Sequence, residues 1–230
     1  ANLPSNGISI HGNTPHLLQW RMEDVEIPNP NHFADISILG GGVLSSLSSQ
    51  VLGNSDFFTG AFPAEYGNAV SGVFDMKLRN GNNRKMENTL QAGILGLDIA
   101  SEGPLSKKHQ ASYIFNYRYS TTGLLNRIYP GLDMGGTLDY QDLNFKLNFP
   151  TRKAGTFSVW GTSLIDKYEG DFEDNPQEWE HTRDNFKSEA KQYMAAGGVS
   201  HRYFFPNDAT LKTTLAATYS GMNATDNSYA

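Results

Sequence analysis

The sequence contains no cysteine, which removes disulfides, Cys-ligated zinc and thiol nucleophiles. It has no run of about 18 apolar residues, so it encodes no transmembrane helix. That absence leaves β-barrels untouched, because a barrel strand needs only about ten residues of alternating character. Positive charge is scarce as well: 18 Lys and Arg stand against 24 Asp and Glu, a net charge of -6. With no compact basic run, nucleic acid is not expected as a partner. No leader opens the chain, so Ala1 is expected to be a processing boundary or a cut within a longer protein. What is present is 12% aromatic residues and 23 glycines within a modest 38% hydrophobic content. That balance suits many strands and turns, including barrel strands with a single apolar face.

Catalytic and metal-binding constellations are also missing. His11, His16, His32, His109, His181 and His201 are scattered without HxH or HExxH spacing, so no zinc site is expected. Gly40-Gly41-Gly42 lacks a following Lys-Ser/Thr and reads as a flexible turn rather than a phosphate cradle. Asp166, Glu169, Asp171, Glu173 and Asp174 read as a long solvated loop, without the EF-hand spacing a calcium site would show. No Ser/His/Asp arrangement emerges. No cofactor and no enzymatic activity are expected.

The chain divides near residue 82. Residues 1–82 carry short apolar stretches at 8–10 and 25–27, and a turn-rich PNPNHF at 28–33. A short helix is expected over 43–52, with Val43, Leu44, Leu47, Val51 and Leu52 on one side. A strand is expected over 71–79, where Phe74, Met76 and Leu78 alternate with Asp75, Lys77 and Arg79. This half reads as a small α+β unit.

Beyond the polar stretch 80–88 the period becomes two. ASYIFNYRYS sets Ala111, Tyr113, Phe115, Tyr117 and Tyr119 against Ser112, Ile114, Asn116, Arg118 and Ser120. DLNFKLNF sets Leu143, Phe145, Leu147 and Phe149 against Asp142, Asn144, Lys146 and Asn148. TLKTTLAATYS repeats the pattern, and weaker candidates lie at 89–102, 156–166 and 190–204, making about six strands. Tight turns at 103–109, 150–155 and 206–209 alternate with long connections at about 120–138 and 167–189, as in outer-membrane barrels. A soluble antiparallel sandwich fits the alternation about equally well. Aromatics placed at strand ends (Tyr119, Tyr168, Tyr203, Phe204 and Tyr219) tilt the balance slightly toward a membrane.

The segment GAFPAEYGNAVSGVFDMKLRNG, 60–81, resembles the end of the plug domain in TonB-dependent outer-membrane receptors. Its matching positions are Gly60, Pro63, Ala64, Tyr66, Gly67, Gly72 and Val73. Residues 9–33 resemble that family's middle plug segment, with Glu23-Asp24-Val25-Glu26-Ile27-Pro28 carrying Asp24 where Gly is usual. The departure leaves that turn open. The wording is similar to the branch with a carboxypeptidase-regulatory-like N-terminal domain.

The resemblance implies a mainly β fold with a small α+β part. A partial plug (1–82) would precede the first strands (83–230) of a plugged transmembrane β-barrel, incomplete in this chain. It implies an outer-membrane receptor that imports a scarce ligand with energy passed through TonB, which would contact a segment not in this chain. The plug would face the periplasm and the strands the outer-membrane lipid. The ligand (small molecule, glycan or peptide) stays unnamed, and Arg127, Tyr129, Tyr168 and Trp179 are the candidate ligand-facing loop residues. The motif residues are expected to shape the plug: Pro63 fixes φ, Gly60, Gly67 and Gly72 allow turns, and Tyr66 needs a partner for its hydroxyl. About six strands cannot close a barrel, so oligomerisation of the isolated piece is expected to cover its edges. The alternative is a soluble secreted β-rich binding module, for example for glycans.

Overall fold

The computed structural model describes residues 7–35, 42, 44–93, 96–120, 137–170 and 186–228. It is almost entirely β. The first unit is built on β1 (Leu18–Met22), β2 (Val25–Ile27), β5 (Asp56–Phe58) and β6 (Gly72–Met76), in the order β2-β1-β6-β5. β1 runs antiparallel to β2 and parallel to β6. β3 (Asn31–His32) and β4 (Leu44–Ser45) form a separate short ladder.

The open turn at 23–24 resolves into a two-residue hairpin loop, since Met22 pairs with Val25. Glu23 and Asp24 both have positive φ, 50° and 71°, as a type I′ connection demands. Asp is among the few residues that tolerate the left-handed region, which is why it can stand where Gly is usual.

The helix expected over 43–52 is absent among the described residues, and Val43 lies outside them. Leu44–Ser45 is strand instead, and Ser48 carbonyl oxygen accepts from Val51 and Leu52 in a single turn. The cause is the serine content. Ser45 Oγ takes the Leu47 N–H and Ser48 Oγ takes the Gln50 N–H, local bonds that compete with helix formation. The α part of the expected α+β unit is reduced to a 3-10 turn at Pro15–Leu17.

Among the described residues the second unit is one antiparallel meander of seven strands. They are β7 (Glu87–Gly93), β8 (Gly96–Ser106), β9 (Ala111–Tyr119), β10 (Thr137–Pro150), β11 (Thr156–Gly170), β12 (Phe186–Phe204) and β13 (Thr210–Ser228), paired in chain order. The extra strand arises because the candidate at 89–102 is a hairpin, with Gly93 paired to Gly96. The sheet is open, with β7 and β13 as its edges.

Register turns the sequence alternation into two surfaces. Tyr113, Leu147, Val159, Val199 and Leu215 form one cross-strand row, and Phe115, Phe145, Gly161, Gly197 and Ala217 the next. On the other face, Asn116, Asn144, Thr162, Ala196 and Thr218 align. The first unit packs on this second face. Met22, Ile27, Val51, Met76 and Leu78 bury there against Ile114, Trp160, Leu164, Met194 and Ala196.

The burial is inverted relative to a soluble sheet. Polar Asn116 and Asn144 are 0% exposed, whereas Leu215 is 79% and Ile165 54% exposed on the apolar face. Not every strand-end aromatic sits at an end: Tyr219 pairs with Ala195 in the middle of β13.

Candidate functional site

The first unit meets the inner face of the large sheet along a seam of buried polar groups, and these hold the chain's most constrained chemistry. β3 brings His32 to the inner face between two strands. Its Nε2 lies 2.9 Å from Asp142 Oδ2 on β10, and its Nδ1 lies 2.5 Å from Asp166 Oδ1 on β11. All three side chains are fully buried. A neutral imidazole has only one N–H, so two carboxylates on its two nitrogens call for the imidazolium. Burial, the largest single influence, favours the neutral ring; the hydrogen bonds to Asp142 and Asp166 outweigh it and hold the pKa above the ordinary histidine value. Arg118 on β9 donates through Nε to Asp142 Oδ2 at 2.9 Å and reaches Ser45 carbonyl oxygen through its other nitrogen. Two cations thus face two anions, which makes burial of the set tolerable.

Backbone from the first unit completes the set. The Phe33 N–H donates to Asp166 Oδ2 at 2.7 Å, and the Asp35 N–H to Gln192 Oε1 at 2.9 Å. Gly42, at φ +68°, passes so close to β3 that a Cβ would come within 2.6 Å of Asn31 Cβ and His32 carbonyl oxygen. A glycine is therefore needed beside His32, both for its φ and for the space.

A second anchor stands at the 23–24 hairpin tip. Glu23 Oε1 accepts from the Leu78 N–H at 2.8 Å and from Lys146 Nζ at 2.9 Å, and Lys146 also donates to Leu78 carbonyl oxygen at 2.8 Å. Further along, Arg79 forms a two-pronged pair with Glu102 of β8, at 2.9 and 2.7 Å. Asn144 donates to Ser46 carbonyl oxygen at 2.8 Å and accepts from Thr162 Oγ1 at 2.7 Å. The seam joins the two units through buried polar contacts. Among the described residues no group of three or more His, Asp and Glu is arranged to hold a metal ion.

The 60–73 motif lies on the first unit. The Tyr66 N–H donates to Pro63 carbonyl oxygen at 2.9 Å, and its hydroxyl donates to Asp75 Oδ2 at 3.0 Å. Burial first, and the bond to Asp75 second, push the Tyr66 phenol up to about 12. Phe58 packs on its ring at 5.0 Å, and the Arg21 guanidinium stands 5.1 Å over it. Gly72 pairs with Leu18 and Val73 with Gln19, and a Cβ at Gly72 would come 2.2 Å from Ile10 Cδ1. Gly60 and Gly67 have open space around them, and the left-handed residues are their successors Ala61 and Asn68. Turn formation therefore does not require glycine at 60 or 67. Ala64 is exposed.

Two placements differ from the sequence reading. Asp166 is no loop residue but a fully buried acid of β11, and Glu169 lies one residue before the end of the same strand; Asp171, Glu173 and Asp174 lie outside the described residues. Tyr168 is also in β11, paired with Ala190 and Leu138, rather than in a loop. Arg127, Tyr129 and Trp179 lie outside the described residues. The reading by motif missed His32, whose one signal was a histidine in a turn-rich stretch followed, far along the chain, by acids at polar-face positions of strands.

No family model matches the sequence, and no curated protein does. Among solved structures the chain resembles the outer membrane transporter YddB from Escherichia coli, with a TM-score of 0.53 and 15% identity over 91% of this chain. The siderophore receptor PirA from Acinetobacter baumannii superposes with a TM-score of 0.44 and 13% identity, over 96% of this chain and 40% of that one. The first likeness is one of fold. This chain spans 32% of the length of YddB.

Proposed function

We propose that this chain is part of a TonB-dependent outer-membrane receptor: residues 1–82 the later plug, and 83–230 the first strands of its barrel. The observation that carries this reading is the inverted large sheet. An outward apolar face this broad is a liability in water, whereas a bilayer makes it the favourable arrangement. The polar inner face is capped by a small unit, as a plugged lumen would be. The likeness of fold to an outer membrane transporter supports the same reading. A soluble binding module would turn the row containing Leu215 inward.

In this reading the seam holds the plug until a pull transmitted by TonB rearranges it. The ligand approaches from the long-loop end, where Tyr168 stands and Arg127, Tyr129 and Trp179 belong in sequence. The plug faces the periplasm. The test is to express the gene at its natural length, fractionate the cell envelope and follow gel mobility with and without heating. Recovery in the outer membrane with heat-modifiable mobility is expected. A soluble periplasmic product would overturn the reading.

A further inference from the structure

The end of the large sheet that carries the short turns is chemically unlike the other end. The β8–β9 and β10–β11 turns hold Lys107, Lys108, Arg152 and Lys153, all exposed. None of the four has an ion-pair partner among the described residues. No Asp or Glu occurs between Glu102 and Asp133, or between Asp142 and Asp166. In sequence, by contrast, the span from Lys167 to Glu189 holds eight acids against three Lys and Arg. The protein is acidic overall, so this cationic rim is a local feature rather than a reflection of composition.

Between the two cationic turns lies a groove of about 670 Å³. Its apolar wall is Leu105, Ala111 and Phe149, and its rim is Lys108, His109 and Arg152. Ala111 and Phe149 continue the outward rows through Tyr113 and Leu147, so the groove opens onto the apolar face rather than the capped one. An occupant must therefore present an apolar chain to the wall and a negative group to the rim. A free anion would meet only half of this surface, and a neutral lipid would leave the cations uncompensated.

We propose that this groove binds an anionic phospholipid, its phosphodiester headgroup between Lys108 and Arg152 and its acyl chain along Leu105 and Phe149. The inference rests on the outward face meeting a bilayer. It adds which leaflet chemistry the short-turn end selects. Lys107 and Lys153 add field at the same rim, and each Lys or Arg near an anionic surface strengthens association by roughly fivefold.

The full chain, folded into phosphatidylcholine vesicles and extracted in mild detergent, would be offered equal amounts of phosphatidylglycerol and phosphatidylcholine. Retained lipid would be counted by native mass spectrometry. Preferential retention of phosphatidylglycerol is expected, weakened in Lys108→Gln/Arg152→Gln and undisturbed by millimolar inorganic phosphate. Equal retention of both lipids by the wild-type chain overturns the proposal, as does a variant that keeps the preference. Displacement by phosphate would make this a free-anion site and equally overturn it. A chain that never enters the vesicles would sink the membrane reading itself, a separate result seen before any lipid is counted. Because the wild-type comparison decides alone, a variant that fails to fold leaves the test intact.

Discussion

His32 Nδ1 lies 2.5 Å from Asp166 Oδ1, a contact between residues 134 positions apart that ties the first unit to the fifth strand of the large sheet. With Asp142 on its other nitrogen and Arg118 beside Asp142, the imidazole is held as a cation. Its pKa is raised in the folded state. A group raised in this way contributes its full stability below the unfolded value of about 6.5 and loses it as pH climbs through the higher folded value. Protection of the β3 and β4 amides from hydrogen exchange, corrected for the intrinsic rate, should therefore fall as pH climbs above the ordinary histidine value. The same measurement on His32→Gln should show no such step. His32→Ala, which leaves two carboxylates facing each other, should cost about 3–5 kcal/mol in denaturant unfolding.

Glu23 and Lys146 provide a second test of the seam. Their side chains are 8% and 10% exposed, and each has a backbone partner at Leu78. Removing one leaves the other charge buried without its counterion, so Glu23→Gln or Lys146→Met alone should lose about 3–5 kcal/mol. The double variant should lose less than the sum, because no bare charge remains. Additive losses in the cycle would mean that the two side chains do not interact.

The strand pattern was legible because the large sheet keeps one face apolar, and period two in β9, β10 and β13 follows from that alone. β11 and β12 read weakly for a physical reason. Trp160, Leu164 and Met194 point inward to meet the first unit, so both faces carry apolar residues and the alternation blurs. The hairpin hidden at 93–96 and the serine-rich 44–52 turn depend on local backbone bonds that periodicity does not register. The seam was invisible to motif searching. Its members come from β3, β9, β10 and β11, and only register and the crossing of two units bring them together.

Gly72 separates packing from turn geometry within the 60–73 motif. A Cβ there meets Ile10 Cδ1 at 2.2 Å, Phe58 carbonyl oxygen at 3.0 Å and Leu18 Cδ1 at 3.2 Å. Gly72→Ala should destabilise by about 1–3 kcal/mol through overpacking. Adding Ile10→Ala should recover part of the loss, because the nearest clash is with the end of that side chain. Gly60→Ala and Gly67→Ala, with open space and no positive φ, should stay within about 0.5 kcal/mol of the parent. Urea midpoints for the four variants would check this order.

Leu215 distinguishes bilayer from water at the outward face. It is 79% exposed, in a row with Val199, Val159, Leu147 and Tyr113. In water, Lys at such a position would be close to neutral, since it breaks no packing. Facing hydrocarbon, one pleat repeat in from the Ala111 and Phe149 positions, it should cost measurably, below the roughly 2–4 kcal/mol of the bilayer midplane. Leu215→Lys and Thr218→Lys, compared in vesicle-folded chain by urea unfolding, would place the two faces of β13. A loss at 215 clearly greater than that of the same substitution in water is expected in vesicles. A loss near zero there would show that this row never meets lipid, and that the exposed face belongs in water.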